Sequence, residues 1–415
     1  MGAIDIDTLL ADLRENWWIY LSMPIVAALI GYVTKLLAIR MMFEPLEFVG
    51  VRPYLGWQGI IPRRAARMAA TATDLLTQRL ISPQEIMNRI DPHRVADELS
   101  EPLRRAIDEV AREVAAHYQP GLWESLPEVA RRTLISRVQR DAPEVIESIM
   151  EDIRSNVEEV LDLKAMIVTS LVRDRALLNR IFREAGEEEF RFIARSGIYF
   201  GFAIGLVQVT VWALTHSPLE LPLFGLFIGW FTDWLALKMI FNPKQPTRYL
   251  FGMLEWQGLF LKRRKEVAAR YGELIAKEIL TPHNLFGAVL TGPLSDRVFA
   301  MVFRHVQRMV DAQSGLAKPL VVLAVGGGRY QEMKREIARL VMERLPETMG
   351  YVESYAADAM DIRNTLTGKM QQLDEEEFEG LLRPAFQQDE WILITVGAAL
   401  GFLVGELQVL VITHA

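Results

Sequence analysis

Two oppositely charged residues lie inside long apolar stretches of this sequence. Lys35 follows an uncharged run that begins at Asn16, and Asp233 interrupts an apolar run from Leu221 to Phe241. Ionisable groups inside a membrane are costly, and they usually face a partner or a cavity. The two residues therefore have two interpretations: a structural salt bridge that fixes how parts of the chain dock, or a polar path or substrate site within a membrane.

Hydroxyl and carboxylate side chains extend this candidate polar set. A threonine directly precedes each of the two charged residues, and Glu406 interrupts the last apolar run. Glu406 lies about 22 Å along a helix from Trp391, toward the far side of a bilayer. The sequence predicts an intramembrane polar set that consists of Thr34, Lys35, Thr232, Asp233 and Glu406.

Basic residues cluster after two of the apolar runs, each time behind a tryptophan. In the first cluster Pro62 predicts the start of a helix, and helix N-termini favour anions. The clusters predict a site for anionic lipid headgroups, and the same charges are expected to set membrane topology. The predicted headgroup residues are Trp57, Arg63, Arg64, Arg67, Trp256, Lys262, Arg263 and Arg264.

Patterns typical of enzymes are missing. The chain lacks cysteine, its 6 histidines form no ligand-spaced pair, and it contains no Walker loop or G-x-S-x-G motif. We therefore expect a non-enzymatic protein with no catalytic residues, no metal site and no cofactor. The formal net charge of −7 also argues against a nucleic-acid partner.

Four apolar runs are long enough to position these residues across a membrane. A spanning helix needs about 20 mostly apolar residues. The runs lie in a chain with 51% hydrophobic and 24% charged residues, which indicates apolar spans joined to charged soluble stretches. The predicted spans are 17–40, 196–215, 221–242 and 391–412.

Glycines recur at every fourth position in two of these spans. Small residues at this spacing let helix backbones approach closely in lipid, where packing drives association. The predicted packing residues are Gly197, Gly201 and Gly205 in the second span and Gly397, Gly401 and Gly405 in the fourth.

The chain repeats itself. GYVTKLLAIRMMFEP at 31–45 resembles GWFTDWLALKMIFNP at 229–243, and GFAIGLVQ at 201–208 resembles GFLVGELQ at 401–408. In this alignment Lys35 and Asp233 are equivalent. Since each half crosses the membrane twice, the two halves have the same orientation.

These halves define the predicted architecture. We expect an all-α integral membrane protein with four transmembrane helices in two parallel tandem repeats, each enclosing a long helical cytoplasmic segment. The predicted domains are repeat 1 over 1–215, with soluble helices over 44–195, and repeat 2 over 216–415, with soluble helices over 244–388.

The soluble segments carry apolar residues at helical spacing. Such stripes must bury against something, and we favour packing against each other, with partner subunits or lipid tails as the alternative. The stripes are Leu99, Leu103, Ile107, Val110 and Val114; Val145, Ile149, Ile153, Val157 and Val160; and Met333, Ile337, Leu340, Val341 and Leu345.

The first half resembles a known family. The segments GYVTKLLAIRMMFEP, GIIPRRAARMA and DLLTQRLISP are similar to those of the bacterial YheB/YjiN-type membrane proteins, domain of unknown function 445. The resemblance implies a bacterial inner-membrane protein with a helical soluble part, and it implies no activity. The second half departs from the pattern, because Phe260 and Leu261 replace Ile61 and Pro62.

Charge placement predicts orientation, and the absence of enzyme motifs directs the functional hypothesis. Basic residues follow the first and third spans, so both soluble segments are predicted to be cytoplasmic and both termini outside the inner membrane.

The leading hypothesis is an inner-membrane scaffold or oligomeric assembly that presents cytoplasmic helices and contacts anionic lipid. The alternative is a transporter or lipid-handling conduit with a polar path at the repeat interface. Expected partners are membrane lipids and further copies of the chain.

Overall fold

The structure is a computed structural model of the 415-residue chain. It describes residues 14–51, 55–118, 124, 127–249, 254–314, 326–382 and 390–414. Most of these residues are helical, as predicted for an all-α protein. Within the predicted soluble segments, residues 52–54, 119–123, 125–126, 250–253, 315–325 and 383–388 lie outside the described residues.

The elements of the first half begin with a long apolar helix and end with another. In chain order they are α1 (Trp17–Phe43), β1 (Val49–Val51), β2 (Leu55–Trp57), α2 (Ile60–Arg63), α3 (Ala65–Leu75), a π-helical turn (Leu76–Leu80), α4 (Pro83–Asn88), α5 (Pro92–Tyr118), α6 (Glu128–Ser155), α7 (Val157–Val160), α8 (Leu163–Arg173), α9 (Arg175–Ala185) and α10 (Glu187–Thr215).

The second half follows a similar order. Its elements are α11 (Glu220–Phe241), β3 (Thr247–Tyr249), β4 (Leu254–Trp256), α12 (Leu259–Lys262), α13 (Arg264–Glu278), α14 (Pro282–Thr291), α15 (Ser295–Ser314), α16 (Gly327–Met360), α17 (Ile362–Gln371), α18 (Glu375–Leu382) and α19 (Glu390–His414).

Each half contains a short antiparallel hairpin, which no alternating pattern in the sequence predicted. Val49 pairs with Trp57 in the first hairpin, and Thr247 pairs with Trp256 in the second. Strands of three residues are too short to give a recognisable period of two. A cis peptide bond precedes each hairpin, at Pro45 and at Pro243.

Four helices are long and apolar enough to cross a membrane, namely α1, α10, α11 and α19. The four predicted spans lie within or within one residue of these helices. Helix α10 begins at Glu187 rather than at residue 196, because three glutamates in its first turn favour a helix N-terminus. Helices α14 and α15 are also long and apolar enough when they are taken together. They are bent by 80° at the break between them, as in a broken span or a re-entrant loop. The protein is thus a multi-pass membrane protein by the length and composition of its helices.

The chain forms two compact units, and each contains segments from both halves. One unit, here called the span unit, comprises residues 1–72, 171–272 and 367–415. The other, here called the cavity unit, comprises residues 73–170 and 273–366. All four apolar helices belong to the span unit.

Packing inside each unit follows the apolar faces of its helices. In the span unit α1 packs against α10, α11 packs against α19, and α1 also contacts α11 and α19. Met23, Ile30 and Ile228 are among the buried side chains of this bundle. In the cavity unit α5 packs against α6 and α16, while α15 packs against α6 and α16.

Candidate functional site

A cavity of about 690 Å³, partly open to solvent, lies between the helices of the cavity unit. Its walls come from α5, α6, α14, α15 and α16, and they are almost entirely aliphatic. Among the described residues, the lining side chains that carry polar atoms are Tyr118, Arg344 and Thr348. The cavity is therefore suited to an apolar ligand.

The apolar stripes predicted from the sequence form much of these walls. Leu103 and Ile107 of α5, Ile149 of α6 and Ile337 of α16 line the cavity and are only half-buried. The helices thus bury their stripes toward one another, as favoured, but they leave a gap between them. Other stripe residues that line it are Leu99, Val110, Val114, Val145, Ile153, Met333, Val341 and Leu345.

The size of the cavity distinguishes it from a packing defect. Protein interiors are close-packed, with few voids larger than a water molecule. This space is far larger than such a void and opens partly to solvent, so it is an apolar cleft between helices rather than a sealed packing defect. The volume lies within the range of ligand pockets, about 300–1,000 Å³, so we interpret it as a binding site.

One cation belongs to the cavity wall, and acidic neighbours neutralise it. Arg344 lies 2.8 Å from a carboxylate oxygen of Glu113 and 3.4 Å from one of Glu109. The hydrogen bond to Glu113 raises the pKa of Arg344 above its ordinary value. The guanidinium therefore stays charged and paired, and the cavity presents no free charge at this point.

Lys35 and Asp233 meet inside the span unit. Lys35 Nζ lies 3.3 Å from Asp233 Oδ1, and the side chains are only 1% and 3% exposed. Thr34 Oγ1 donates to the carbonyl oxygen of Gly31 at 3.3 Å. Thr232 Oγ1 and Asp233 Oδ2 are buried without a hydrogen-bond partner in the described part of the chain. Glu406 is exposed on α19 and takes no part in the pair.

The predicted packing glycines lie at two close helix crossings. A Cβ built on Gly197 or Gly201 would collide with the backbone of α1 at Gly31 or Ala27. Gly205 meets Pro24 of α1 in the same way. In the fourth span, Gly401 and Gly405, which are equivalent to Gly201 and Gly205, meet the backbone of α11 at Gly225 and at Leu221–Pro222. The sequence analysis did not identify the residues of α1 and α11 that these glycines contact. Gly225 and Gly229 of α11 show the same spacing of four and could have been found by it.

The residues predicted to bind headgroups do not form two equivalent sites. In the first half Arg63 and Arg67 are exposed, Arg64 is half-buried, and Trp57 Nε1 donates to the carbonyl oxygen of Met41 at 3.2 Å. In the second half Lys262 is exposed, and the ring of Trp256 lies 6.2 Å from that of Phe192.

Acidic side chains engage the arginines of the second half. Arg263 lies 2.9 Å from the buried Glu189 and 2.7 Å from Glu266. Arg264 lies 3.9 Å from Glu375. Glu189 is buried, and the guanidinium of Arg263 compensates its charge. A headgroup at Arg263 would have to displace these carboxylates.

No group of three or more His, Asp or Glu side chains in the described residues is arranged to hold a metal ion. That finding concerns only the described ranges, and the prediction of a protein without metal or cofactor stays a prediction.

Comparison with known proteins shows which membrane proteins the chain is similar to. The family described as Protein of unknown function (DUF445) matches residues 25–140. A UPF0754 membrane protein of Nostoc punctiforme is 20% identical over 95% of this chain and 97% of its own length. Residues 25–140 thus match the DUF445 family, and the chain is similar over nearly its whole length to UPF0754 membrane proteins. These matches confirm the resemblance seen in the first-half motifs.

Further relatives agree with this assignment. A UPF0754 membrane protein of Synechococcus sp. (strain JA-3-3Ab) is 22% identical over 95% of this chain and 98% of the relative. Another, from Nostoc sp. (strain PCC 7120), is 31% identical over 28% of this chain and 32% of the relative. All three relatives are named as membrane proteins. No solved structure matches the chain.

Proposed function

We propose that this protein handles membrane lipid, with the span unit anchoring the chain in a bilayer and the cavity unit binding an acyl chain. The observation that carries the proposal is the aliphatic cavity of about 690 Å³. Pockets for polar small molecules carry a few placed polar groups that fix orientation. This cavity has almost none, and lipid tails are the apolar ligands at hand for a chain with four candidate spans.

The energetics favour exchange over permanent capture. Transfer of an acyl chain out of water is favourable by about 0.8 kcal/mol for each methylene group. Moving the same chain from a bilayer into an aliphatic cavity replaces one apolar environment by another, so the net change is small. Such a cavity suits a protein that takes up lipid and releases it again.

A related proposal concerns topology. We propose two parallel repeats whose helical segments are cytoplasmic, in the inner membrane of a bacterium. The matching hairpins, the prolines at 45 and 243 and the paired glycine crossings support the repeat, and the placement of Lys and Arg supports the orientation. Because the chain lacks cysteine, Ser217→Cys provides a single label. Labelling from outside alone is expected, and labelling only from the cytoplasmic side would reverse the orientation.

The scaffold hypothesis remains the competing proposal. A scaffold or homo-oligomer would use its helices to bind protein, and the cavity would close or fill on assembly. It therefore predicts that blocking the cavity leaves lipid contacts unchanged.

Photo-crosslinking tests the lipid proposal on the full-length chain. The protein is reconstituted in vesicles that contain a phospholipid with a diazirine near the end of one acyl chain, and crosslinked peptides are mapped by mass spectrometry. Adducts are expected on α5, α6 and α16 as well as on the apolar helices of the span unit. Adducts confined to those apolar helices would contradict the proposal.

A pair of neighbouring alanines provides the matched control. Ala115 lines the cavity, whereas Ala116 is exposed on the same helix. Ala115→Phe should fill part of the cavity and lower the yield of adducts in α5, α6 and α16 severalfold. Ala116→Phe should leave the yield unchanged. Equal yields in the two variants would favour the scaffold.

A further inference from the structure

We infer that a second, separate lipid site lies at the end of α1, where the headgroup of an anionic phospholipid binds three arginines. An open pocket of about 770 Å³ in the span unit is lined by Arg40 of α1 and by Arg180 and Arg183 of α9. Guanidinium groups bind phosphate through paired hydrogen bonds and are favoured wherever phosphate is recognised. This inference does not depend on the cavity unit.

The pocket is amphipathic, which distinguishes it from a simple basic patch. Leu37, Met41 and Leu46 form an aliphatic wall beside the arginines. A phospholipid presents the same combination, because its phosphate is joined through glycerol to the start of its acyl chains. Free inorganic phosphate would use the arginines but not this wall.

The position of the pocket along α1 matches the level of lipid headgroups. Arg40 lies in the last turn of α1, where the apolar stretch of the first candidate span ends. Trp57 donates its indole N–H to the carbonyl oxygen of Met41, one residue further on. Tryptophan at the end of a span is typical of the membrane interface, where anionic headgroups attract nearby basic residues.

Glu44 competes for two of these arginines, Arg40 and Arg183. Glu44 lies 3.0 Å from Arg40 Nε and 3.9 Å from a terminal nitrogen of Arg183. The other carboxylate of the lining, Glu184, is paired with Arg270 at 3.3 Å. At Arg40 and Arg183 a bound phosphate would therefore compete with Glu44, so removal of this carboxylate should raise the affinity of the site.

Among its described residues, the second half lacks an equivalent site. When the two halves are aligned on the EEEF runs at 187–190 and 375–378, Gly368 and Gln371 stand in place of Arg180 and Arg183. In the alignment of 31–45 with 229–243, continued by one residue, Lys244 stands in place of Leu46. Lys244 lies 2.8 Å from the buried Glu379, so its charge is compensated within the protein. The inference therefore predicts one such headgroup site in each chain.

Titration of the full-length protein with phosphatidylglycerol, followed by native mass spectrometry, tests the inference. Arg40→Gln and Arg183→Gln should each weaken the tightest binding step about fivefold, as expected for one basic residue at a membrane surface. Glu44→Gln should strengthen it, a gain that loss of folding cannot produce. Arg132→Gln, at an exposed position of α6, is the matched control and should change nothing.

The outcomes separate the sources of phosphate. Glycerol phosphate added in solution should displace phosphatidylglycerol poorly, because it lacks the acyl chains that contact Leu37 and Met41. Unchanged binding in both arginine variants, weaker binding in Glu44→Gln, or equal displacement by soluble glycerol phosphate would each overturn the inference. Loss of lipid adducts in the cavity unit would leave it intact.

Discussion

The carboxylate of Asp233 lies directly against the backbone of Gly397. A Cβ atom on residue 397 would collide with Asp233 Oδ2, while the other carboxylate oxygen lies 3.3 Å from the ammonium of Lys35. The glycine on α19 thus provides the space in which a charge on α11 reaches a charge on α1. Three of the four apolar helices meet at this contact.

Gly397→Ala should therefore displace Asp233 and destabilise the span unit. Overpacking of a filled interior typically costs about 1–3 kcal/mol. Unfolding of the purified protein in mixed micelles, followed by circular dichroism, measures the change. Gly350→Ala is the control: its Cβ would meet no atom within 4 Å, so we expect a gain of about 0.5–1 kcal/mol.

The collision itself can be tested by removing the carboxylate. In an Asp233→Ala background, Gly397→Ala should cost less than it does in the native chain. An equal cost in both backgrounds would show that the glycine is needed for another contact, such as the one with the backbone of Gly229.

The Lys35–Asp233 pair should behave as one unit in a double-mutant cycle. Lys35→Met or Asp233→Asn alone leaves an uncompensated buried charge, which typically costs about 3–5 kcal/mol. The double variant removes both charges and should be much more stable than the sum of the single effects implies. Single variants as stable as the native chain would show that the pair contributes nothing to the fold.

The cycle also separates the two interpretations of the pair. A structural pair predicts that the double variant keeps its lipid adducts and its lipid binding. A polar path predicts a folded double variant that has lost them.

Repeat alignment predicted that Lys35 and Asp233 are equivalent, and the structure places them in contact. The alignment was informative because a lysine and an aspartate at matching positions of two apolar helices have few other ways to compensate their charges. Glu406 could not be assigned in this way, since its position along α19 gives its depth but not the direction of its side chain.

The cavity is the feature that sequence reasoning could not reach. Helical spacing identified Leu103, Ile107 and Ile337 as inward-facing residues, but it says nothing about the distance between facing helices. Whether such faces touch or leave a gap depends on contacts between residues far apart in the chain. The burial of Glu189 was missed for the same reason, because its partner Arg263 belongs to the other half.

Tyr271→Phe should stabilise the span unit. Tyr271 is fully buried, its hydroxyl has no hydrogen-bond partner in the described part of the chain, and burial raises the pKa of its phenol. An unsatisfied buried polar group costs about 1–3 kcal/mol, so its removal should recover a gain of this order. The ring would keep its edge-to-face contact with Phe182, at 5.7 Å.

Tyr330→Phe is the matched control for this change. Its hydroxyl donates to Asp311 at 3.0 Å, so its loss should destabilise the cavity unit by about 1.5–3 kcal/mol. Chemical denaturation of both variants gives the two free energies of unfolding. Destabilisation by Tyr271→Phe would reveal a partner for that hydroxyl, such as a buried water molecule.

The stability of the cavity unit should fall as the pH rises through neutrality, because of His93. Its Nδ1 lies 2.6 Å from Glu147 Oε1, and this hydrogen bond, with the charge of Asp97, raises the pKa of His93 above 6.5. A raised pKa means that the folded state binds the proton more tightly, so the contribution is complete below pH 6.5 and is lost above the folded pKa. The melting temperatures of the native chain and of His93→Gln should therefore differ at pH 5.5 and converge by pH 8.5. Glu147→Gln should remove the same pH dependence, whereas a difference that stays constant with pH would exclude His93 as its source.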